Sequence, residues 1–227
     1  MTLILQEVSV ARRGDAALFP PISLTVRAGE VATVMGPSGI GKSTLLDAIG
    51  GHLAHGFTLS GRIQLDGRDL APLPPEARRV GLMFQDAVLF PHLSVGDNLA
   101  FGLARSIRGR AARRAAVEAA LDRAGLSGLH DRDPATLSGG QRSRAALMRT
   151  LLAEPRALLL DEPFSRLDAA LRDDLRAFTF AHIRDRGIPA LMVTHDRADA
   201  EAAAGLVIDL TQPEFRSCTT TCPASTS

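Results

Sequence analysis

The apolar positions of this chain follow two periods, and the places where the period changes divide it. Across residues 3–35 the pattern is that of strands. Leu3-Ile4-Leu5-Gln6-Glu7-Val8-Ser9-Val10 alternates only in part, and Arg13-Gly14-Asp15 supplies a turn. Pro20-Pro21 punctuates, Ile22-Ser23-Leu24-Thr25-Val26 alternates cleanly, and Ala28-Gly29 turns again. Residues 30–35 (E-V-A-T-V-M) read as a short buried strand, and a helix beginning at Thr44 is stopped by Gly50-Gly51. Residues 59–67 form a strand running into the Asp66-Gly67 turn, 72–76 a Pro-rich connector, and 80–84 another buried strand ending before Gln85. From 94 to 153 the period becomes helical and the composition rich in Ala and Arg, with segments near 94–105, 109–124 and 139–153, the last stopped by Pro155. Ala157-Leu158-Leu159-Leu160 is apolar on both faces, as a central parallel strand should be. A helix over about 169–185 follows, with Arg172, Asp173, Arg176 and Asp185 expected on its outer face; then come a strand at 190–194, a short Ala-rich helix and a strand at 206–210. Residues 211–227, rich in Thr, Ser and Pro, are expected to be a disordered tail.

This order predicts an α/β fold: a mainly parallel sheet, flanking antiparallel β structure and an inserted all-helical lobe. One domain spans 1–210, with 1–93 and 154–210 as core and 94–153 as helical lobe. Ligands of a parallel α/β sheet sit at the carboxyl ends of its strands, so the ends at Met35, Phe84, Leu160 and Thr194 should line one site.

The first of these ends carries chemistry. Gly36-Pro37-Ser38-Gly39-Ile40-Gly41-Lys42-Ser43 matches G-x-x-x-x-G-K-[ST] between a predicted strand and helix, with Thr44 completing the loop. Such a P-loop turns backbone N–H groups toward an anion, the helix N-terminus and Lys42 add positive charge, and Ser43 offers a hydroxyl to Mg²⁺. Composition sharpens the point: of 26 Lys and Arg residues, Lys42 is the one lysine. A planar guanidinium cannot replace a compact ammonium between phosphate oxygens in a tight loop.

Bulk properties exclude several classes. A net charge of +1 gives no electrostatic argument for nucleic acid. The N-terminus lacks a signal-peptide pattern, and no apolar run reaches the roughly 18 residues of a membrane span, so a soluble cytoplasmic protein is expected. Both cysteines, Cys218 and Cys222, fall in the tail. The arginines at 105, 108, 110, 113 and 114, with Glu118 and Asp122 nearby, read as a solvated face.

Phosphoryl transfer to water needs a metal shell and a group that addresses the water. Asp161 suits the first with Ser43, and Glu162 the second. Gln85 can bind Mg²⁺ or a water, and His195 can donate to a γ-phosphate. Leu137-Ser138-Gly139-Gly140-Gln141 opens the helix at 139–153, with Ser138 as cap, and makes a second anion site inside the helical lobe. A single ATP cannot easily touch both sites in one subunit; a dimer in which Ser138 to Gln141 of one copy closes on ATP held by the other solves this.

Taken together these motifs resemble the ATP-binding subunits of ABC transporters over about residues 3–210: the Walker A loop at 36–44, a Q-loop at Gln85, the signature L-S-G-G-Q, Walker B in L-L-L-D-E-P, a D-loop in S-R-L-D and a switch histidine in V-T-H-D. The resemblance implies ATP and Mg²⁺ as cofactors, Glu162 as catalytic base, a head-to-tail pair of subunits holding two ATP, and Asp168 near the opposed site. It also implies a membrane permease docked near residues 86–93 (D-A-V-L-F-P-H-L), an extracytoplasmic solute-binding protein acting through that permease, no nucleic acid, and a place on the cytoplasmic face of the inner membrane. F-Q-D-A-V-L-F-P-H-L-S-V-G-D-N-L is similar to bacterial importers, and D-E-P-F-S-R-L-D-A-A-L-R-D more narrowly to YnjD-type subunits, whose relatives serve thiamine, iron or inorganic-anion uptake. A non-transport ABC ATPase acting on DNA or ribosomes, and a regulatory module that holds nucleotide without turnover, stand as alternatives.

One departure from the family concerns the base. Its members place an aromatic residue ahead of the phosphate loop to stack on adenine, whereas here that stretch reads Val10-Ala11-Arg12-Arg13-Gly14 and the chain has no Trp or Tyr. Arg12 or Arg13 could stack a guanidinium on the base, or Phe19 could substitute. Base selectivity should therefore be weak and GTP should compete well with ATP; nucleotide titrations showing a strong preference for ATP would count against this.

Overall fold

The computed structural model describes residues 1–86, 88–165 and 167–211. Along them run β1 (Thr2–Arg12), β2 (Ile22–Arg27), β3 (Val31–Met35), α1 (Lys42–Gly50), β4 (Phe57–Leu65), β5 (Arg68–Asp69), α2 (Pro75–Arg78) and β6 (Val80–Met83). Then follow α3 (Val95–Phe101), α4 (Arg110–Arg123), α5 (Gly139–Leu152), β7 (Ala157–Asp161), α6 (Ala169–Arg186), β8 (Ala190–Thr194), α7 (Arg197–Ala203) and β9 (Val207–Asp209). Strands in the order β2-β1-β4-β5 make an antiparallel sheet, and β6-β7-β8-β3-β9 a parallel one, so the α/β architecture expected from the sequence is the one observed. The tail at 212–227, with Cys218 and Cys222, lies outside the described residues.

The parallel sheet separates two apolar cores. Successive strand side chains point to opposite faces, so Leu158, Leu160, Ala190 and Met192 face a cluster containing α3, α5 and α6. Leu159, Leu191, Val193 and Val34 face the other cluster, with α1 and the inward positions of β1 and β2. Strands buried on both faces have no polar side to show, which is why β7 and β8 read as continuous apolar runs.

The partial alternation of β1 has a structural cause. Its buried positions are Leu3 and Leu5 before the break and Val8 and Val10 after it. The register with both neighbours shifts between Leu5 or Gln6 and Val8 or Ser9, and Glu7 is left-handed at φ +50°. The bulge moves the inward face from odd to even positions and keeps one side of the strand on the core.

Four expectations are corrected. Phe84 is not the end of a buried strand: β6 stops at Met83, and Phe84 is 54% exposed. Arg176 is not on an outer face but buried, and Arg172 is half-buried, both paired with carboxylates on the α7 side. Arg113 leaves the solvated arginine face to donate to the Ala100 carbonyl (2.7 Å), while Arg114 pairs with Glu118 (3.4 Å). The connector at 72–76 leads into α2, which Pro75 starts in the first-turn position that proline tolerates.

Helix α2 matters because Arg78 fastens α1. Its Nη1 donates to the carbonyls of Ala48 (2.7 Å) and Ile49 (2.8 Å), and its Nε to that of Leu73 (2.9 Å). A cation at a helix C-terminus satisfies the orphan carbonyls and complements the dipole. Gly51 must be glycine here: it is left-handed (φ +89°), and a Cβ would lie 2.8 Å from the Arg78 Nε. Arg78→Ala should lower stability by about 2–3 kcal/mol and the melting temperature by roughly 5–10 °C. Calorimetry showing an unchanged transition would refute the fastening role.

Candidate functional site

The strands β6, β7, β8 and β3 are consecutive neighbours, and their registers pair Met83 with Leu160, Asp161 with Val193, and Met35 with Thr194. Their carboxyl ends therefore lie level, and the residues just beyond them converge. Gly36 to Gly41 follows β3, Gln85 lies beyond β6, Asp161 ends β7 with Glu162 next, and His195 follows β8.

The phosphate loop is built by its glycines and lysine. Gly41, the residue before α1, is left-handed at φ +101° and offers no side-chain cap, so the first N–H groups of α1 have no side chain turned onto them. A Cβ on Gly41 would press on Leu18 (3.1 Å) and Phe19 (3.2 Å), whereas one on Gly39 (φ +83°) would meet no protein atom within 4 Å. The loop thus leans on the 18–19 segment on one side and opens away from the protein on the other. Lys42, only 5% exposed, donates from Nζ to the carbonyls of Gly36 (2.7 Å) and Pro37 (3.0 Å).

Around this ammonium the carboxylates gather. Glu162 Oε1 lies 3.8 Å from Lys42 Nζ and 3.1 Å from His195 Nδ1. Gln85 Nε2 reaches Glu162 Oε2 (3.5 Å) and Ser165 Oγ (3.3 Å). Glu162 sits at φ +43°, a left-handed conformation that a non-glycine residue adopts at a cost of about 1–3 kcal/mol. Its N–H donates to the Val193 carbonyl (2.9 Å), and its own carbonyl accepts from Ser165 Oγ (3.0 Å). These bonds hold the strained turn that aims the carboxylate across the strand ends.

The Ser43 hydroxyl stands near the Asp161 carboxyl and favours its charged form. Burial nevertheless pushes that carboxyl above the usual range, with the charge of Glu162 adding to the effect, and the Ser43 hydroxyl and Lys42 opposing it. Burial likewise raises Asp47, one turn further along α1, with His52 opposing and Asp161 adding. A hydroxyl and a carboxylate short of positive charge are hard oxygen donors of the kind Mg²⁺ takes, and the residues present fit that ion.

Ser138, Gly139, Gly140 and Gln141 lie at the start of α5, on the helical side of the molecule. Ser138 and Gln141 form a capping box: Ser138 Oγ accepts from the Gln141 N–H (3.2 Å), and Gln141 Oε1 from the Ser138 N–H (3.0 Å). Asp168 caps α6 by accepting from the Leu171 N–H (3.0 Å). Among the described residues, none of these four and not Asp168 bonds to the Lys42–Glu162 cluster. Arg166 of the S-R-L-D stretch and Ala87 of the 86–93 stretch are outside the described residues.

Sequence reasoning missed Ser165, which ties Gln85 to the Glu162 turn, and Thr194, which bonds on both sides of His195. Both stand inside the motifs named above, but a hydroxyl's bonding partner is not visible in spacing. Phe19 cannot stack on a base, since it is 2% exposed and belongs to the core; Arg12 and Arg13 are exposed. A separate cleft between α7 and β9, lined by Met35, Arg197, Glu201, Val207 and Asp209, shares with the expected site only the strand end at Met35 and holds none of the expected catalytic, phosphate-binding or metal residues.

The geometry agrees with sequence comparison. The family model described as ABC transporter matches residues 19–165. The chain belongs to the ABC transporter family. It is 48% identical over 210 residues to the uncharacterized ABC transporter ATP-binding protein YnjD of Escherichia coli, covering 92% of this chain and 95% of that protein. It is 48% identical over 193 residues to the thiamine import ATP-binding protein ThiQ of Cereibacter sphaeroides, covering 85% and 81%. With the sulfate/thiosulfate import ATP-binding protein CysA of Mycobacterium tuberculosis it shares 44% identity over 189 residues, 83% of this chain and 53% of that one. The protein is an ATP-binding ABC subunit and an ATPase, and the alternatives of a nucleic-acid ATPase or a regulatory module are not favoured. No described helix is long and apolar enough to cross a membrane.

Because Nζ of Lys42 is wedged between two loop carbonyls, the wider guanidinium of Lys42→Arg cannot occupy the same space. The substitution should weaken ATP binding at least about a hundredfold, roughly 2.7 kcal/mol, with a melting temperature within about 3 °C of wild type. Titration with a fluorescent ATP analogue measures this; retained affinity would show that the loop tolerates either cation.

Proposed function

We propose that this subunit hydrolyses ATP in a head-to-tail pair of identical copies and so drives solute import through a separate membrane permease. The observation that supports it most is the convergence of Lys42, Gln85 and His195 on the Glu162 carboxylate at level strand ends. Names of the relatives point the same way, being import ATP-binding proteins for thiamine and for sulfate.

In this reading the loop from Gly36 to Thr44, with Pro37, Ser38, Gly39, Ile40 and Gly41, wraps the phosphates. Lys42 exchanges its loop carbonyls for phosphate oxygens, and His195 donates to the γ-phosphate. Both groups now lie against Glu162, so a phosphate that draws them away releases the carboxylate to take a proton from water. Ser43, Asp161 and Gln85 would hold Mg²⁺, which neutralises charge developing on the phosphate oxygens. Ser138, Gly139, Gly140 and Gln141 of the second copy complete the site, with Asp168 near the junction.

The permease docks beyond Gln85. Phe84 and Val88 are exposed there, Leu89 is buried, and Phe101, 70% exposed, packs edge-on against Phe90 with ring centroids 4.8 Å apart. An apolar patch beside the segment that carries Gln85, just past the end of β6, suits a membrane protein's contact segment. The subunit works on the cytoplasmic face of the membrane, and an extracytoplasmic binding protein delivers solute to the permease. The divisions at 1–93, 94–153 and 154–210 separate the nucleotide-holding core from the helical lobe.

Glu162→Gln keeps the shape and removes the base. ATP binding should persist, hydrolysis should fall by about 10²–10⁴-fold, and closed dimers should accumulate on size-exclusion chromatography with ATP. Phosphate release at the wild-type rate would sink the assignment of Glu162.

A further inference from the structure

Two arginines of α6 turn away from solvent toward the turn that carries His195. Arg176 donates from Nε to Asp199 Oδ1 (2.6 Å), pairs with the same carboxylate through Nη2, and donates from Nη1 to Asp173 (2.8 Å). Asp199 is 1% exposed, and its other oxygen accepts from Thr194 Oγ1 (3.1 Å). That hydroxyl in turn accepts the Asp196 N–H (3.0 Å), spanning His195 from one side to the other. On the far side Arg172 Nη1 donates to Asp196 Oδ2 (2.6 Å), while Asp196 Oδ1 caps α7 through the Ala198 N–H (2.8 Å). Arg172 Nη2 also reaches the Leu167 carbonyl (3.4 Å), one residue before Asp168.

We propose that Arg172, Arg176, Asp199 and Thr194 are positioning residues for His195: a charged clasp that fixes the 194–196 turn at the height where Nδ1 meets Glu162, and ties that height to the stretch preceding Asp168. The His195 side chain is 53% exposed, and among the described residues its ring pairs only with Glu162. An exposed ring with one partner is held by its backbone, and the residues on either side of it, Thr194 and Asp196, are bonded into the clasp. A buried ion pair is weak evidence for stability, because desolvation offsets most of the attraction. A buried Arg176–Asp199 pair, with the half-buried Arg172–Asp196 pair beside it at a catalytic turn, is better accounted for by the geometry the two specify. A planar guanidinium that meets one carboxylate oxygen through both Nε and Nη2 fixes direction as well as distance, which a lysine ammonium does not.

The inference rests on the reading of His195 as a γ-phosphate donor, and the test separates the two. Thr194→Val is isosteric and removes only the hydroxyl; Arg172→Gln removes the second attachment. For the full chain we expect kcat to fall about tenfold in each, with ATP affinity unchanged within about twofold and melting within about 3 °C of wild type. Arg172→Lys should restore only part of the rate. In ¹⁵N-labelled protein the imidazole resonances of His195 should shift in Thr194→Val while those of the other five histidines stay in place. His195 resonances that do not move, or a kcat within twofold of wild type, overturn the clasp. Full turnover in His195→Ala would instead overturn the role of His195 itself. A loss of rate matched by a loss of ATP affinity or of melting temperature would also overturn the clasp, since it would show a general structural effect.

Discussion

A lysine ammonium withdrawn from water has to be surrounded by oxygen, and much of this protein is arranged to do so. Lys42 reaches its own loop carbonyls only because the loop folds back over the start of α1, and that fold requires left-handed glycines. Its third direction points at Glu162, on a different strand. The charge therefore couples the loop after β3 to the turn after β7, and the parallel sheet must bring those two ends level for the contact to exist. The strained backbone of Glu162 is a consequence: a carboxylate at a regular strand position would alternate in or out of the sheet rather than lean across its end.

A similar logic governs the helices around the sheet. Helix α1 carries the loop at its N-terminus and is fastened at its C-terminus by Arg78 from α2. Helix α6 reaches the opposite end of the site through Arg172 and Arg176. Asn98, fully buried at α3, bonds the carbonyls of Phe90, Leu93 and Ser94 and the N–H of Phe90, so it holds the segment beyond Gln85. Arg149 adds a bond to the Val88 carbonyl (2.8 Å) and covers the Phe90 ring. In each case a long or amide side chain reaches across from one element to satisfy backbone groups of another. Loops whose polar groups are tied this way keep a definite shape without secondary structure of their own.

Much of the site was legible because its requirements are local. Glycines at fixed offsets, one lysine, and Ser43 form a unit that works within a strand, a turn and a helix. The Ser138 cap is equally local, and the return bond from Gln141 that the structure adds closes it within four residues. Asp161 and Glu162 could be picked out because two carboxylates abruptly end an apolar run, where a buried strand reaches the polar rim of its sheet. What was not legible is mostly a side chain whose partner is far away in sequence; Thr194 is the exception, its partners Asp196 and Asp199 lying within five residues. Arg172 and Arg176 are expected outside because they are charged, although Arg176 shares a face of α6 with the buried Phe180 and Ile183; only the placement of α7 against α6 gives them carboxylates. Arg78 and Arg113 likewise look like surface arginines until the carbonyls they cap are seen.

By itself, then, the sequence determined the fold class, the phosphate loop and the identities of the groups at the strand ends, because strand and helix periods and short-range motifs need no more than neighbouring residues. Tertiary structure decided which of those groups meet: that Glu162 stands between Lys42 and His195, that Gln85 shares it with Ser165, and that Phe19 is core rather than a platform for a base. The physical reason is distance along the chain. Those contacts join residues from 33 to 120 positions apart (Glu162 with His195, Lys42 with Glu162), and nothing in a local pattern fixes the level at which two strands end beside each other. The sheet's order and register do, and they bring the ends of β6, β7, β8 and β3 to one line.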